Sequence, residues 1–136
     1  MSKNKICIID DNPAVCESLQ FLFDCIYDNK VETYMTSKSF LKEFSSEWKG
    51  CLIIDFFMPF LNGVELMKEL KKRSNQMGVV MICGNYTPEI EACSLRAGAE
   101  VFIAKPFNID SLLDNVNTIL KKTALNLDEQ PLEIQV

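Results

Sequence analysis

The sequence predicts an α/β fold, in which a doubly wound parallel sheet of five strands carries helices on both faces. Four short apolar runs recur along the chain, and runs of this length are typical of strands buried on both faces. They cover residues 5–9, 51–54, 79–83 and 101–104. Each is followed by a turn signal and by apolar residues at helical spacing. Strands that alternate with helices in this way join through right-handed crossovers into a parallel sheet.

The first half of the chain carries the predicted elements up to the central strand. Asn12 is a good N-cap and Pro13 suits the first helical position, so a helix should follow the first strand. Residues 30–35 alternate loosely and favour an edge strand. In chain order, the predicted elements are strand 5–9, helix 13–27, strand 30–35, helix 37–44 and, after a loop over 45–50, strand 51–55.

The second half of the chain repeats the alternation. Residues 60–63 form a turn signal, and the basic cluster 71–73 suits a helix C-terminus, where cations complement the helix dipole. Pro88 and Asn108 stand where the last two helices should begin. In chain order, the predicted elements are helix 64–73, strand 79–83, helix 88–96, strand 101–104 and helix 108–122.

Length and composition are those of one globular domain, which we place at residues 1–122. Residues 123–136 contribute no predicted element and indicate an acidic tail or the start of a linker. The net charge of -5 argues against duplex nucleic acid as a direct partner, because phosphate contacts need a basic surface. No apolar run has the length of a membrane span, and no leader precedes the first strand, so we expect a cytoplasmic protein.

The cysteine and histidine content restricts the metal and catalytic chemistry. The six cysteines show no CxxC spacing, and most lie in apolar runs, where Cys behaves as a small core residue. We expect free thiols in a reducing cytosol. Since the chain has no histidine, a Cys/His zinc site is excluded, as are serine and cysteine hydrolase triads in their usual form.

Acidic residues end two of the predicted strands, and a lysine ends a third. Asp10 and Asp11 follow the first strand, Asp55 ends the central strand, and Lys105 follows the last one. If the first and central strands are neighbours, the three carboxylates meet at one edge of the sheet, where ligands of open α/β sheets bind. Any one of these acids alone would be taken as a strand end or a helix cap. Together they predict a site.

Three clustered carboxylates repel one another unless a cation joins them. A hard divalent ion with oxygen ligands, Mg²⁺ above all, would relieve that repulsion. One carboxylate could then act as nucleophile toward a phosphoryl group and form an aspartyl phosphate, with Lys105 neutralising the phosphoryl oxygens.

Two other chemistries fit the residues less well. A nucleotide site of the usual kind needs a glycine-rich loop after the first strand, and residues 10–13 contain no glycine. A hydrolytic phosphatase would need an acid or base beside its nucleophile, but Phe56 and Phe57 follow Asp55. A small phosphotransferase or phosphatase with an aspartyl-phosphate intermediate is kept as an alternative.

The residues singled out above resemble the receiver domains of bacterial two-component response regulators. The resemblance spans residues 5–122 and implies a flavodoxin-like fold with strand order 2-1-3-4-5. The matching motifs are Asp10-Asp11, Asp55-x-x-Met58-Pro59-x-x-x-Gly63, Ala97-Gly98-Ala99 and Lys105-Pro106-Phe107.

The resemblance implies a role for each matching residue. Asp55 would accept a phosphoryl group from a sensor histidine kinase or a phosphotransfer protein, and Lys105 would contact that group. The Mg²⁺ ligands would be Asp10, Asp11, Asp55 and the backbone carbonyl of Phe57. Phe102 would be the switch aromatic, and the peptide bond between Lys105 and Pro106 would be cis.

The resemblance also implies how the signal leaves the domain. The face of the fourth helix, fifth strand and fifth helix would bind an unknown output protein, and phosphorylation could produce a homodimer. We expect self-phosphorylation and slow autodephosphorylation rather than enzymatic turnover. A pseudo-receiver that only binds protein, and the receiver fragment of a longer DNA-binding regulator, are the alternatives.

Two positions depart from the usual receiver pattern. Cys83 stands where Ser or Thr is usual, and a thiol is a much weaker hydrogen-bond donor than a hydroxyl. It could be a tolerated substitution that weakens switching, or it could have a redox role. Phe57 stands where many receivers have a smaller or polar residue. It could shield the acylphosphate from water, pack on the surface, or form part of an interface.

Overall fold

The computed structural model describes residues 4–135, with side chains described up to Thr123, and it confirms the α/β fold. Five strands and five helices alternate along this part of the chain. The strands are β1 (Asn4–Ile9), β2 (Lys30–Tyr34), β3 (Lys49–Asp55), β4 (Gly78–Cys83) and β5 (Val101–Ala104). The helices are α1 (Pro13–Ile26), α2 (Ser37–Glu43), α3 (Gly63–Lys72), α4 (Pro88–Arg96) and α5 (Ile109–Gln135).

All strand pairs are parallel, and the order is β2-β1-β3-β4-β5, as the resemblance implies. The register places Ile9 of β1 beside Ile54 of β3. It also places Asp55 beside Ile82 of β4, and Cys83 beside Ala104 of β5. The carboxyl ends of β1, β3, β4 and β5 therefore meet at one edge of the sheet.

The sheet separates two apolar layers, because successive side chains of a strand point to opposite faces. Cys7 and Ile9 of β1 lie in one layer, with the fully buried Phe40 of α2. Ile6 and Ile8 lie in the other layer, which α1 and α5 cover. The fully buried side chains include Phe40 of α2 and Leu66 of α3 on the first face. On the second face they include Phe23 of α1 and Leu112 of α5. The predicted double winding is confirmed.

Side-chain caps fix where the helices begin. The Asn12 side chain accepts from the backbone N–H of Ala14, and Pro13 is the first helical residue, as the sequence predicts. Asn108 accepts from the N–H of Asp110 at 2.7 Å, which confirms the predicted start of the last helix. Asn62 and Glu65 form a capping box at the start of α3.

Three sequence-based expectations need correction. β3 begins at Lys49 rather than Cys51, because Gly50 pairs with Lys5 of β1 and extends the ladder. α5 continues to Gln135, although we predicted no element after residue 122; no glycine or proline interrupts residues 123–130, and Pro131 lies within the helix. The helical spacing of apolar residues in the sequence predicts that Ile26 and Ile109 are buried, but they are 48% and 41% exposed, because they are the end residues of their helices.

Two further observations bear on the class of protein. All six cysteines are free, as expected, and four of them are buried. Among residues 4–135, no helix combines the length and apolar character needed to cross a membrane. The predictions for residues 1–3 and for the side chains after Thr123 fall outside the described part of the chain.

Candidate functional site

Three carboxylates meet at the carboxyl edge of the sheet. Asp10 directly follows β1, Asp55 ends β3, and the pairing of these two strands brings them side by side with Asp11. One oxygen from each carboxylate lies within 4.8 Å of the others. Asp10 and Asp55 are buried, whereas Asp11 is exposed. The convergence predicted from the sequence is therefore present.

Among the residues whose side chains are described, one lysine reaches the two buried carboxylates. The Nζ of Lys105 lies 3.4 Å from Oδ1 of Asp55 and 3.8 Å from Oδ2 of Asp10. The backbone N–H of Lys105 donates to the Cys83 carbonyl at 2.8 Å, which holds the segment after β5 against the end of β4. The bond between Lys105 and Pro106 is cis, as the resemblance implies.

The local electrostatics leave this site short of positive charge. Burial and, after it, the neighbouring charge of Asp10 raise the pKa of Asp55 to about 6, while Lys105 acts in the opposite direction. Burial likewise raises the pKa of Asp10 above its ordinary value, against the opposing effect of the Asn12 N–H. One ammonium group does not compensate for three carboxylates.

These residues fit a divalent cation. Carboxylate oxygens are the ligands that Mg²⁺ prefers, and Mg²⁺ commonly keeps several waters beside one or two carboxylates. The clustered oxygens of Asp10, Asp11 and Asp55, two of them on carboxyls with raised pKa, supply that donor set. The carbonyl of Phe57 as a further ligand stays a prediction.

Phe57 follows Asp55 by two residues and is 45% exposed. Its ring centroid is 4.7 Å from that of Phe56 in an edge-on arrangement, so the ring is half packed and half open to water. Shielding of an acylphosphate by this ring stays a hypothesis. Comparable phosphoryl half-lives for wild type and Phe57→Asn would contradict it.

Cys83 ends β4 and is fully buried. Burial raises the pKa of its thiol, against a hydrogen bond from the N–H of Asn85 that acts in the opposite direction. A reactive thiol needs a lowered pKa, so the surroundings of Cys83 do not favour the redox role. They leave Cys83 as a small, protonated core residue beside the acidic cluster.

Phe102, the expected switch aromatic, is half-buried on β5 and contacts a residue that the sequence analysis did not single out. Its ring centroid lies 5.8 Å from that of Tyr86, in the turn between β4 and α4. The Tyr86 hydroxyl donates to Glu91 of α4 at 2.8 Å. One feature of the sequence could have indicated this contact. Tyr86 is the one aromatic residue in the short segment 84–88, whose other residues are typical of turns.

A family model described as the response regulator receiver domain matches residues 6–117. The chain belongs to this family. Among curated proteins, this receiver is 33% identical over 116 residues to the response regulator protein TodT of Pseudomonas putida, covering 85% of this chain and 51% of TodT. It is 32% identical over 117 residues to the transcriptional regulatory protein FixJ of Azorhizobium caulinodans, covering 86% of this chain and 55% of FixJ.

Solved structures agree with the family. The receiver is similar to the response regulator StyR, with 29% identity and a TM-score of 0.86 over 98% of this chain and 67% of that one. It is also similar to a CheY-like receiver domain from Methanospirillum hungatei, with 27% identity and a TM-score of 0.80 over 90% of this chain and 98% of that one. The chain spans about half the length of TodT and FixJ.

Proposed function

We propose that this receiver is a Mg²⁺-dependent phosphoacceptor in which Asp55 takes up the phosphoryl group. One observation carries the proposal: a buried carboxylate at the end of β3 has two more carboxylates and the Lys105 ammonium group within reach. Burial keeps water away from the acceptor, while the neighbouring groups face the position where the transferred charge would lie. Family membership supports the same assignment.

The residues of the chain divide the chemistry between them. A carboxylate oxygen of Asp55 attacks phosphorus, a new P–O bond forms, and the leaving group of the donor departs with the electron pair of the broken bond. Lys105, now 3.4 Å from Asp55, would hold a phosphoryl oxygen after transfer. Asp10 and Asp11 would hold the ion together with Asp55. Bound Mg²⁺ would supply charge neutralisation for the phosphoryl oxygens.

The partners and location follow from this role as proposals. The donor would be a sensor histidine kinase or phosphotransfer protein, and the output face would be α4, β5 and α5. The protein would act in the cytoplasm as a signalling switch, without turnover of a small substrate. Because TodT and FixJ are about twice the matched length, we infer that this receiver resembles the regulatory part of a longer regulator.

The proposal predicts one phosphoryl adduct per chain after incubation with acetyl phosphate and Mg²⁺. Intact-mass spectrometry should detect it in wild type but not in Asp55→Asn, and chelation of Mg²⁺ should abolish it. Asp24→Asn changes an exposed acid of α1 and serves as the control with the same loss of charge. No adduct in wild type, with no Mg²⁺ binding, would favour the pseudo-receiver. Continued release of phosphate from a small ester would favour the phosphatase.

A second prediction concerns the pH dependence of Mg²⁺ affinity. Protons and Mg²⁺ compete for Asp55, whose pKa is raised to about 6, so affinity should fall as pH drops through that value. Competition at this one carboxyl weakens binding about tenfold at pH 5 relative to pH 8. Isothermal titration calorimetry measures the change, and Asp55→Asn should show a shallower dependence. Equal wild-type affinities at the two pH values would contradict the raised pKa.

A further inference from the structure

A groove of about 670 Å³ lies between the first turns of α1 and the segment that follows β5. Its volume is in the range of small-molecule sites, which are typically apolar with a few polar groups. Lys105 is the one charged residue in the lining, and most of the other lining residues are apolar. The groove is lined by Ala14, Val15, Ser18 and Leu19 of α1, by Gly84 and by residues 105–107.

The groove is continuous with the candidate acceptor site through Lys105. The Nζ of Lys105 lies 3.4 Å from Asp55, and the same side chain lines the groove, whereas Asp55 does not. Gly84 leaves this junction open, because it has no side chain and the atom nearest to an added Cβ would be Cδ of Lys105 at 3.8 Å. A phosphoryl group held by Lys105 would therefore lie where the acceptor site and the groove meet.

The geometry of phosphoryl transfer decides which part of a donor the groove can take up. The attacking and leaving oxygens lie roughly in line on opposite sides of phosphorus. When Asp55 attacks, the leaving group of the donor consequently points away from Asp55. The groove starts at Lys105 and extends along α1, so it can receive that leaving group.

The charges around the groove favour a donor that is anionic at one end and apolar at the other. The phosphoryl end would meet the ammonium group of Lys105, and the remainder would meet uncharged walls. No acidic residue lines the groove. An apolar group that enters it removes apolar surface from water, which is favourable in proportion to the area covered. Selection should therefore increase with the apolar area of the leaving group.

We propose that this groove is a leaving-group subsite, and that it selects small acyl phosphates whose acyl group is apolar. A carboxylate oxygen of Asp55 forms the new P–O bond, and the bond between phosphorus and the acyl oxygen breaks. The carboxylate of the donor leaves with the electron pair of that bond, so the step requires no proton transfer. The inference rests on the proposed function and specifies the class of small donor for the same site.

The test compares benzoyl phosphate with acetyl phosphate, whose leaving carboxylates are of similar basicity. Intact-mass spectrometry of the full chain with Mg²⁺ gives the initial rate of adduct formation at each donor concentration. The half-saturating concentration of benzoyl phosphate should be lower by at least about tenfold, because its phenyl ring is removed from water in the groove. Saturation of both donors at the same concentration would overturn the proposal and leave the groove to the surface of a protein donor.

A substitution that fills the groove separates this effect from a general preference for aromatic donors. Ser18→Trp places an indole ring in the groove, and the preference for benzoyl phosphate over acetyl phosphate should fall toward one. Ser111→Trp makes the same change at an exposed serine of α5 and should keep the wild-type preference. An unchanged preference in Ser18→Trp would overturn the proposal.

A non-transferable analogue tests the groove without phosphoryl transfer. Phenacylphosphonate has CH₂ in place of the bridging oxygen of benzoyl phosphate, and acetonylphosphonate is the matched analogue of acetyl phosphate. With Mg²⁺, phenacylphosphonate should bind more tightly and shift the amide resonances of residues 14–19 and 105–107 in two-dimensional NMR. Shifts elsewhere, or equal affinities of the two analogues, would overturn the proposal. A chain that forms no adduct with either donor would contradict the proposed function, and the phenacylphosphonate shifts would still decide whether the groove binds the apolar group.

Discussion

Gly50→Ala is expected to destabilise the fold by at least about 3–5 kcal/mol, a large part of the stability of an ordinary domain. Gly50 lies in β3 beside Lys5 of β1, with a φ of 123°. A Cβ atom there would lie 2.0 Å from the Lys5 carbonyl oxygen and 2.7 Å from its nitrogen. Both are backbone atoms, so the clash can be relieved only by separating two central strands. Urea unfolding followed by circular dichroism measures the loss.

Gly84→Ala is the matched control for this change. At Gly84 the nearest atom to an added Cβ is Cδ of Lys105 at 3.8 Å, an ordinary van der Waals contact, and the φ lies outside the left-handed range. The same added methyl group should therefore change stability by less than about 1 kcal/mol. If Gly50→Ala and Gly84→Ala unfolded at the same urea concentration, the close approach of β1 and β3 would be wrong.

Strand runs and helix starts could be predicted because local signals determine them. The run before Asp55 is apolar on both faces of the sheet, and the Asn12 and Asn108 caps act within a few residues. The strand order has no such local signal, since periodicity does not say which strands pair. It came from the resemblance, and the pairing of β1 with β3 confirms it.

Local signals also explain the incorrect boundaries. The sequence predicts a loop over residues 45–50, whereas the missing side chain of Gly50 allows a close approach to Lys5 within the sheet. In the turn after Pro59, Asn62 and Gly63 are the residues that tolerate positive φ, yet Phe60 adopts it. Asn62 is extended, because it caps α3. Which residue of a turn bears the strain depends on the contacts that hold both of its ends.

The candidate site could be predicted as a set of residues but not as an electrostatic system. Acids after two strands and a lysine after a third imply convergence once those strands are neighbours. The raised pKa of Asp55 depends on burial and on the distances to Asp10 and Lys105, none of which the sequence contains. The contact between Tyr86 and Phe102 likewise requires the path of the turn between β4 and α4.

The excess negative charge of the site implies that it opposes folding when no cation is bound. In the native state the pKa of Asp55 is raised from 3.8 to about 6, so the folded chain binds this proton more tightly than the unfolded chain. Stability from this group is therefore fully present below pH 3.8 and is lost as pH rises through 6. The side chain is 10% exposed, and the shift corresponds to roughly 3 kcal/mol at pH 8.

Asp55→Asn should consequently stabilise the metal-free domain at pH 8, by about 1–3 kcal/mol after the cost of leaving Lys105 and the new amide less well paired. The gain should vanish toward pH 4, where Asp55 is protonated in the folded wild type. Chemical denaturation at both pH values measures it, with Asp24→Asn on the exposed face of α1 as the control. Saturating Mg²⁺ should reverse the order at pH 8, because binding to the native state stabilises wild type more than the variant. A gain that is equal at pH 4 and pH 8 would show that the pKa of Asp55 is not raised in the folded state. The ionised Asp55 carboxylate would then not destabilise the metal-free domain.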